Sequence, residues 1–209
     1  SPFFHAWEMK GTYPKILNSN RYKNEAKKIF IDGKNLLDKI VNDKSLSANA
    51  IIGIFPAFSV NESVVLEEYE FNFPRQIIDK GKESYQYCLA DFISPKEDYI
   101  GVFALTTGHG VKELVRKYEK ENDDYNAIMV KIISDRLAEA FAECLHEIVR
   151  TEIWGYSKNE SFTNKELIKE KYQGIRPAPG YPSCPNHAEK DNIWKILDVE
   201  SKINISLTE

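Results

Sequence analysis

The stretch AIIGIFPAFSVNESVVLEEY, residues 50–69, contains two apolar segments separated by a short polar one. Residues 50–57 are β-branched and aromatic, and a short run of such residues is typical of a buried strand. A second run, Val60 and then residues 64–69, has the same character, and residues 61–63 (Asn-Glu-Ser) favour a turn. The stretch therefore predicts a β-hairpin.

Outside the hairpin, helical and strand patterns are intermixed along the chain. The clearest further strand is YIGVFALT, residues 99–106. The patterns predict helices over residues 24–42, 73–87, 111–120, 123–154, 164–170 and 189–200. This order favours an α+β fold with a mainly antiparallel sheet. No G-x-G-x-x-G turn follows any strand, so a Rossmann nucleotide site is not expected.

The composition is that of a single globular domain. The 209 residues are 42% hydrophobic and 29% charged, and the formal net charge is -4. Acidic and basic residues are interspersed, and no Lys/Arg block suggests a nucleic-acid site or a membrane-surface helix. No apolar run approaches the roughly 18–20 residues of a membrane span. We therefore expect neither a nucleic-acid nor a membrane partner.

The cysteines and the first residues bear on the compartment and the chain ends. Three widely spaced cysteines are typical of a reducing compartment, which predicts a cytoplasmic protein. Cys88 and Cys144 lie in apolar patterns and are expected in the core, whereas Cys184 could be exposed and reactive. The opening SPFFHAWEMKG, residues 1–11, lacks a signal-peptide pattern and an initiator Met, which predicts a chain opened in mid-structure.

Residues 174–187, GIRPAPGYPSCPNH, form a proline-rich segment that can be neither helix nor sheet. Such a segment is stiff, and a stiff loop loses little entropy when a ligand binds to it. Arg176 precedes Pro177 and is therefore biased towards an extended backbone, from which its guanidinium could fork onto a carboxylate. The alternative is a surface loop that only connects two helices.

Two metal-like spacings are incomplete. Glu143-x-x-His146 is half of a di-iron helix pattern, and the chain contains no second copy. Cys184-x-x-His187 has the spacing of metal ligands but no partner pair elsewhere. The sequence therefore predicts no metal site.

Five segments together carry a family resemblance. RPAPGYPSCPNHAEK, preceded by NKELIKEKYQG, resembles the signature loop of the activation domain of cobalamin-dependent methionine synthase. The segments that resemble the same family, in the family's order, are SPFFHAWEMKGTYPKIL, CLADFISPKEDYIGVFALTTG, DDYNAIMVKIISDRLAEAFAECLHEIVR and WGYSKNE. The resemblance runs from Ser1 to Glu209, and it predicts one activation domain over residues 1–209 that is truncated at both ends.

The resemblance implies a fold and a function. The fold is α+β, a clamp-like single domain with a twisted, mainly antiparallel sheet and several helices. The function is to bind S-adenosylmethionine and present its methyl group for reductive methylation of cob(II)alamin to methylcobalamin. The implied partners are the cobalamin-binding domain of the same enzyme, which holds the cobalamin, and flavodoxin or a flavoprotein reductase as electron donor. No catalytic residue is implied, and the isolated domain is not expected to be active alone.

The same resemblance assigns roles to individual residues. The expected S-adenosylmethionine site comprises Arg176, Pro177, Ala178, Gly180, Tyr181, Glu139 and Glu170. Arg176 would bind the carboxylate of the ligand, and the neighbouring backbone would contact its adenosine. Asp135 would lie at the interface with the cobalamin-binding domain.

Side-chain chemistry agrees with part of this assignment. Asp135 and Glu139 are one helical turn apart and share a face. The ligand carries a carboxylate, an ammonium and a sulfonium, so one arginine and nearby acids suit it. The alternative is a solvated helix face on which these acids pair with Arg136 or Lys131.

Two alternatives to this function stay open. In the family, an acidic residue upstream of SPFF and a tyrosine downstream of LTE complete the ligand site, and both positions lie outside residues 1–209. The chain could therefore be a docking module for the cobalamin domain or flavodoxin that does not bind the ligand. A weaker alternative is an independent enzyme that uses Asp135, Glu139 and His146.

Overall fold

The computed structural model describes residues 2–76 and 86–207. The helices are α1 (Pro2–His5), α2 (Lys23–Asp43), α3 (Val111–Lys120), α4 (Asp124–Ile148), α5 (Asn164–Leu167), α6 (Glu189–Leu197) and α7 (Val199–Ile203). The strands are β1 (Ser47–Val60), β2 (Ser63–Leu66), β3 (Tyr69–Asn72) and β4 (Asp98–His109). The chain also forms two short 3-10 helices, at Lys15–Asn18 and Leu89–Phe92, within the described residues. A π-helix at Val149–Ile153 follows α4. No helix within the described residues is long and apolar enough to span a membrane.

The strands form an open antiparallel sheet in the order β3-β2-β1-β4. Strands β1 and β2 pair with Phe58 opposite Val65, and β2 and β3 pair with Val64 opposite Phe71. The predicted α+β class and the predicted hairpin are confirmed. The single second strand over residues 64–69 is wrong, because Glu67 adopts a left-handed φ of 52° and turns the chain back into β3.

The chain divides into two compact units, whose boundaries fall inside β1, β4 and α4. The first unit is Ser1–Asn49 with Thr106–Glu143, and the second is Ala50–Leu105 with Cys144–Glu209. Because these boundaries cut continuous strands and a continuous helix, no linker marks them in the sequence.

The core of the first unit is helical. The buried residues that α2, α3 and α4 contribute to it are Ala26, Ile29, Leu36, Ile40, Val115, Tyr118, Ala127, Met129, Val130 and Ile133. Gly33 lies on the buried face of α2, and a Cβ there would be 2.7 Å from the Phe3 ring. Close packing therefore explains a glycine in the middle of this helix.

The second unit packs its sheet and its C-terminal helices into two clusters. Cys88 and Cys184 are buried together with β-strand residues such as Val64. The second cluster joins β4 to α6 and α7 and contains Val102, Ala104, Leu197, Val199 and Ile203. Cys144 is exposed, so the core position predicted for it is wrong, because it lies outside the buried stripe of α4.

Several predicted helix ends differ from the observed ones. The helix predicted over 123–154 is α4 followed by a π-helical turn, and it stops before Gly155, whose φ is 73°. The helix predicted over 189–200 is broken at Asp198, where φ is 51°. The short helix predicted to reach Glu170 ends at Leu167. The helix predicted over 73–87 lies mostly at residues 77–85, outside the described residues.

Candidate functional site

The proline-rich segment 174–187 folds into a tight loop, as predicted, without helix or strand. Its turn is closed by three backbone hydrogen bonds. The Gly180 amide donates to the Cys184 carbonyl at 2.7 Å, the Cys184 amide to Tyr181 at 2.9 Å and the Tyr181 amide to Ala178 at 3.0 Å. The Ser183 carbonyl accepts from the Leu89 amide at 2.9 Å, which ties the loop to the unit's core.

Gly180 is at the tightest point of the loop. Its φ is 105°, and a Cβ at this position would lie 2.4 Å from Cε1 of His187. A residue other than glycine would be strained here whatever the space, because L residues rarely adopt this φ.

Gly180→Ala should therefore lower the free energy of unfolding by about 1–3 kcal/mol, the usual cost of such strain. Urea unfolding measures the change. In the double variant Gly180→Ala/His187→Ala, the ring clash is removed while the φ strain remains, so stability should recover only in part. A single variant as stable as the wild type would contradict the assignment of strain to Gly180.

The predicted ligand residues of the loop differ in exposure. Arg176 and Pro177 are half-buried, whereas Ala178, Gly180 and Tyr181 are exposed. The loop thus offers exposed backbone and an exposed aromatic ring beside one half-buried cation.

The acids predicted for the site are all exposed, but they lie in different units. Glu170 precedes the loop in the second unit and adopts a left-handed φ of 51°. Asp135 and Glu139 lie one turn apart on the part of α4 that belongs to the first unit. The structure thus groups Glu170 with the loop and Asp135 with Glu139.

A buried ion pair that the sequence analysis missed lies next to the loop's first residues. The Arg150 side chain is 0% exposed and Glu160 is 3% exposed. Arg150 donates from Nε to Glu160 Oε2 at 2.8 Å and from Nη2 to Oε1 at 2.5 Å, a bidentate arrangement. Arg150 holds the pKa of the Glu160 carboxyl below its ordinary value. The pair is therefore charged at neutral pH.

Two side chains of the same helix end contact Tyr172. The Arg150 guanidinium lies over the Tyr172 ring, 4.1 Å from its centroid. The His146 ring meets the same ring edge-on at 4.9 Å. We call Arg150, Glu160, Tyr172 and His146 the anchor cluster.

His146 is buried, and its pKa is lowered to about 4. Burial is the largest cause, followed by the charges of Arg150 and Arg176, while Glu160 opposes the shift. The imidazole is therefore neutral in the folded protein at neutral pH.

The stability of the fold depends on pH because the folded and unfolded chains protonate His146 at different pH values. As pH falls from about 6.5 to about 4, the unfolded chain protonates this histidine and the folded chain does not. Stability should therefore be lost across this window, by up to about 3 kcal/mol from this residue. Urea unfolding at pH 7 and pH 4 should show a smaller pH effect for His146→Gln than for the wild type. An equal pH effect in both proteins would contradict the burial of a neutral His146.

The Cys184 thiol at the closed end of the loop also has a shifted pKa. Burial, and then the charge of Glu189, raises the pKa of Cys184 to about 11. The thiol is protonated at neutral pH and is a poor nucleophile. The expectation that Cys184 could be exposed and reactive is therefore wrong.

An open cleft of about 440 Å³ adjoins the anchor cluster. Its lining residues are Tyr156, Ser157, Lys158, Asn159, Glu160, Phe162, Lys171 and Gln173. None of the predicted ligand residues lines it. Within the described residues, no group of His, Cys, Asp or Glu side chains could hold a metal ion.

Fold and loop together define an α+β module with a rigid proline-rich loop beside a half-buried arginine. Over residues 1–209 the chain matches the family described as vitamin B12 dependent methionine synthase, activation domain. The chain belongs to this family, and its resemblance to the family is confirmed.

A solved structure supports the same family assignment. The chain is similar to a crystal structure of the MetH reactivation domain bound to AdoHcy, with 45% sequence identity and a TM-score of 0.91. The match covers 100% of this chain and 67% of that chain.

Proposed function

We propose that this chain binds S-adenosylmethionine and presents its methyl group for the reductive methylation of cobalamin. The observation that carries the proposal is the similarity to the reactivation domain bound to AdoHcy, over the whole of this chain. AdoHcy, S-adenosylhomocysteine, is what remains of S-adenosylmethionine when the methyl group has been transferred. A ligand-binding surface shared with that domain therefore suits both molecules.

Arg176 is the residue proposed to bind the ligand's carboxylate. A guanidinium presents two parallel N–H donors to a carboxylate, and half-burial strengthens such a charge-assisted pair. Arg176 precedes Pro177, whose ring restricts the backbone conformation of Arg176. The side chain therefore starts from a defined position.

The exposed backbone of the loop is proposed to contact the adenosine. Ala178 and Gly180 are exposed, and glycine at 180 makes the observed turn without strain. Pro177 fixes the path between Arg176 and this turn. Tyr181 is 56% exposed and offers a ring and a hydroxyl to the ligand.

The positive centres of the ligand are proposed to face acids. Glu170 lies six residues before Arg176, and Glu139 is exposed on α4. A carboxylate attracts a sulfonium or an ammonium through its opposite charge. Asp135, one turn from Glu139, is proposed to face the cobalamin-binding domain.

The reaction needs no general base on this chain. The methyl group would leave the ligand as a cation equivalent, with the carbon–sulfur electron pair remaining on the neutral thioether. The cobalamin of a neighbouring domain, reduced by one electron from flavodoxin or a flavoprotein reductase, would supply the electron pair of the new bond. No proton moves in this step. The contribution of this chain is therefore positioning, which alone can supply a large rate enhancement. The domain is not expected to catalyse methyl transfer by itself.

The test is methyl transfer in the methionine synthase that contains this chain. We expect label from S-[methyl-¹⁴C]adenosylmethionine to appear on cobalamin when a reductant is supplied, and to be lost in the Arg176→Ala enzyme. Equal labelling in the two enzymes would contradict the proposal.

A further inference from the structure

The segment that leads into the ligand loop is fixed at three consecutive residues. The Tyr172 ring is held by Arg150 at 4.1 Å and by His146 at 4.9 Å. The next residue, Gln173, accepts a hydrogen bond at its carbonyl from the Tyr156 hydroxyl, at 3.3 Å. Tyr172 is only four residues before Arg176, so its position bears directly on where Arg176 begins.

Gly174 is held against the same tyrosine that contacts Gln173. Its φ is 93°, and a Cβ there would be 3.0 Å from the Tyr156 hydroxyl. The Tyr156 ring in turn meets Trp154 edge-on at 5.4 Å. The helix end and the π-helical turn therefore supply the contacts to Tyr172, and Tyr156, three residues after that turn, supplies the contacts to Gln173 and Gly174.

An apolar side chain could also pack against the Tyr172 ring, so the burial of a charged pair at this position needs a reason. Removing two charges from water is costly, and apolar residues of similar volume often stabilise a fold as well or better. A guanidinium locked by a bidentate carboxylate, however, presents a flat cationic face at one fixed position. Such a face orients an aromatic ring in a way that an aliphatic contact does not.

His146 supports the same arrangement because its imidazole stays neutral. The groups that act on it are Arg150 and Arg176, which disfavour its protonation, and Glu160, which favours it. A neutral ring can contact Tyr172 without adding a third positive charge that would repel Arg150 and Arg176.

We propose that Tyr172, held by the rest of the anchor cluster, is a positioning residue that preorganises residues 174–187 and thereby places Arg176. A loop already held in its bound conformation loses less entropy when the ligand binds. The expected effect on ligand affinity rests on the function proposed above, whereas the ordering of the loop by Tyr172 does not.

Three variants separate positioning from general stability. Tyr172→Leu removes the ring, Tyr172→Phe keeps it, and Val199→Ala truncates a fully buried residue of a different cluster in the same unit. All three are studied well below their melting temperatures. The first measurement is amide hydrogen exchange of peptides from residues 174–187 in the ligand-free chain.

We expect exchange in these peptides to be about tenfold faster in Tyr172→Leu, because local opening governs exchange. Tyr172→Phe, which keeps the ring, should exchange much more slowly than Tyr172→Leu, and Val199→Ala should exchange at the wild-type rate. Unchanged exchange in Tyr172→Leu, or equal acceleration in Val199→Ala, would overturn the proposal.

The second measurement is calorimetric titration with S-adenosylhomocysteine. Affinity should fall about tenfold in Tyr172→Leu and stay within about threefold of wild type in the two controls, since only the first loses preorganisation. Wild-type affinity in Tyr172→Leu would overturn the link between loop order and binding. If no protein binds, including the wild type, while the exchange pattern holds, the proposed function fails and the positioning role stands.

Discussion

Arg176→Ala is expected to abolish measurable binding of S-adenosylmethionine while leaving the melting temperature unchanged. Removing one partner of a desolvated, hydrogen-bonded charge pair costs about 2–5 kcal/mol, so affinity should fall at least about thirtyfold. Stability should not fall with it, because Arg176 is half-buried on a loop and belongs to none of the apolar clusters.

Two measurements on the same protein check this expectation. Calorimetric titration gives the affinity, and thermal unfolding without ligand gives the melting temperature. Arg176→Lys is the matched control: it keeps the positive charge but loses the planar fork, so its affinity should lie between wild type and Arg176→Ala. An Arg176→Ala variant with wild-type affinity would remove this residue from the site.

Glu160→Gln is expected to have the largest effect on stability. It leaves the Arg150 guanidinium, which is 0% exposed, without a charged partner. Breaking a buried pair in this way costs about 3–5 kcal/mol. At about 2–4 °C per kcal/mol for a chain of this size, the melting temperature should fall by about 6–20 °C.

The chain offers a control with the same substitution. Glu166 pairs with Lys171 at 3.2 Å and accepts hydrogen bonds from the Thr163 amide and hydroxyl, all at accessible positions. Gln keeps an acceptor oxygen for Thr163, and an exposed ion pair contributes little, so Glu166→Gln should lower the melting temperature far less than Glu160→Gln. The double variant Arg150→Met/Glu160→Leu should recover much of the loss, because no unpaired charge stays buried. Equal effects of Glu160→Gln and Glu166→Gln would contradict the assignment of Arg150–Glu160 as a buried pair.

The parts of the fold that follow from local chemistry were predictable. The hairpin at residues 50–69 and helix 111–120 were found because β-branched runs and a glycine before the helix are local signals. The turn at Glu67 and the break at Asp198 were not found, because both use non-glycine residues in the left-handed region. Glutamate does not mark such a position, and aspartate, although enriched there, is also common at helix starts.

The candidate site also has parts that the sequence predicts and parts that it does not. The loop was visible because its prolines exclude helix and sheet. The Arg150–Glu160 pair was not visible, because charged residues are normally exposed and the two meet only after the chain reverses near Gly155. The cysteines show the same limit: the buried Cys184 lies in a polar loop, and the exposed Cys144 lies in an apolar helix.

The most direct test of the central claim is calorimetric titration of S-adenosylmethionine into this chain beside its Arg176→Ala variant. We expect binding of one molecule per chain for the wild type and no measurable binding for the variant. Heat that is absent from both titrations, or the same affinity in both, would contradict it.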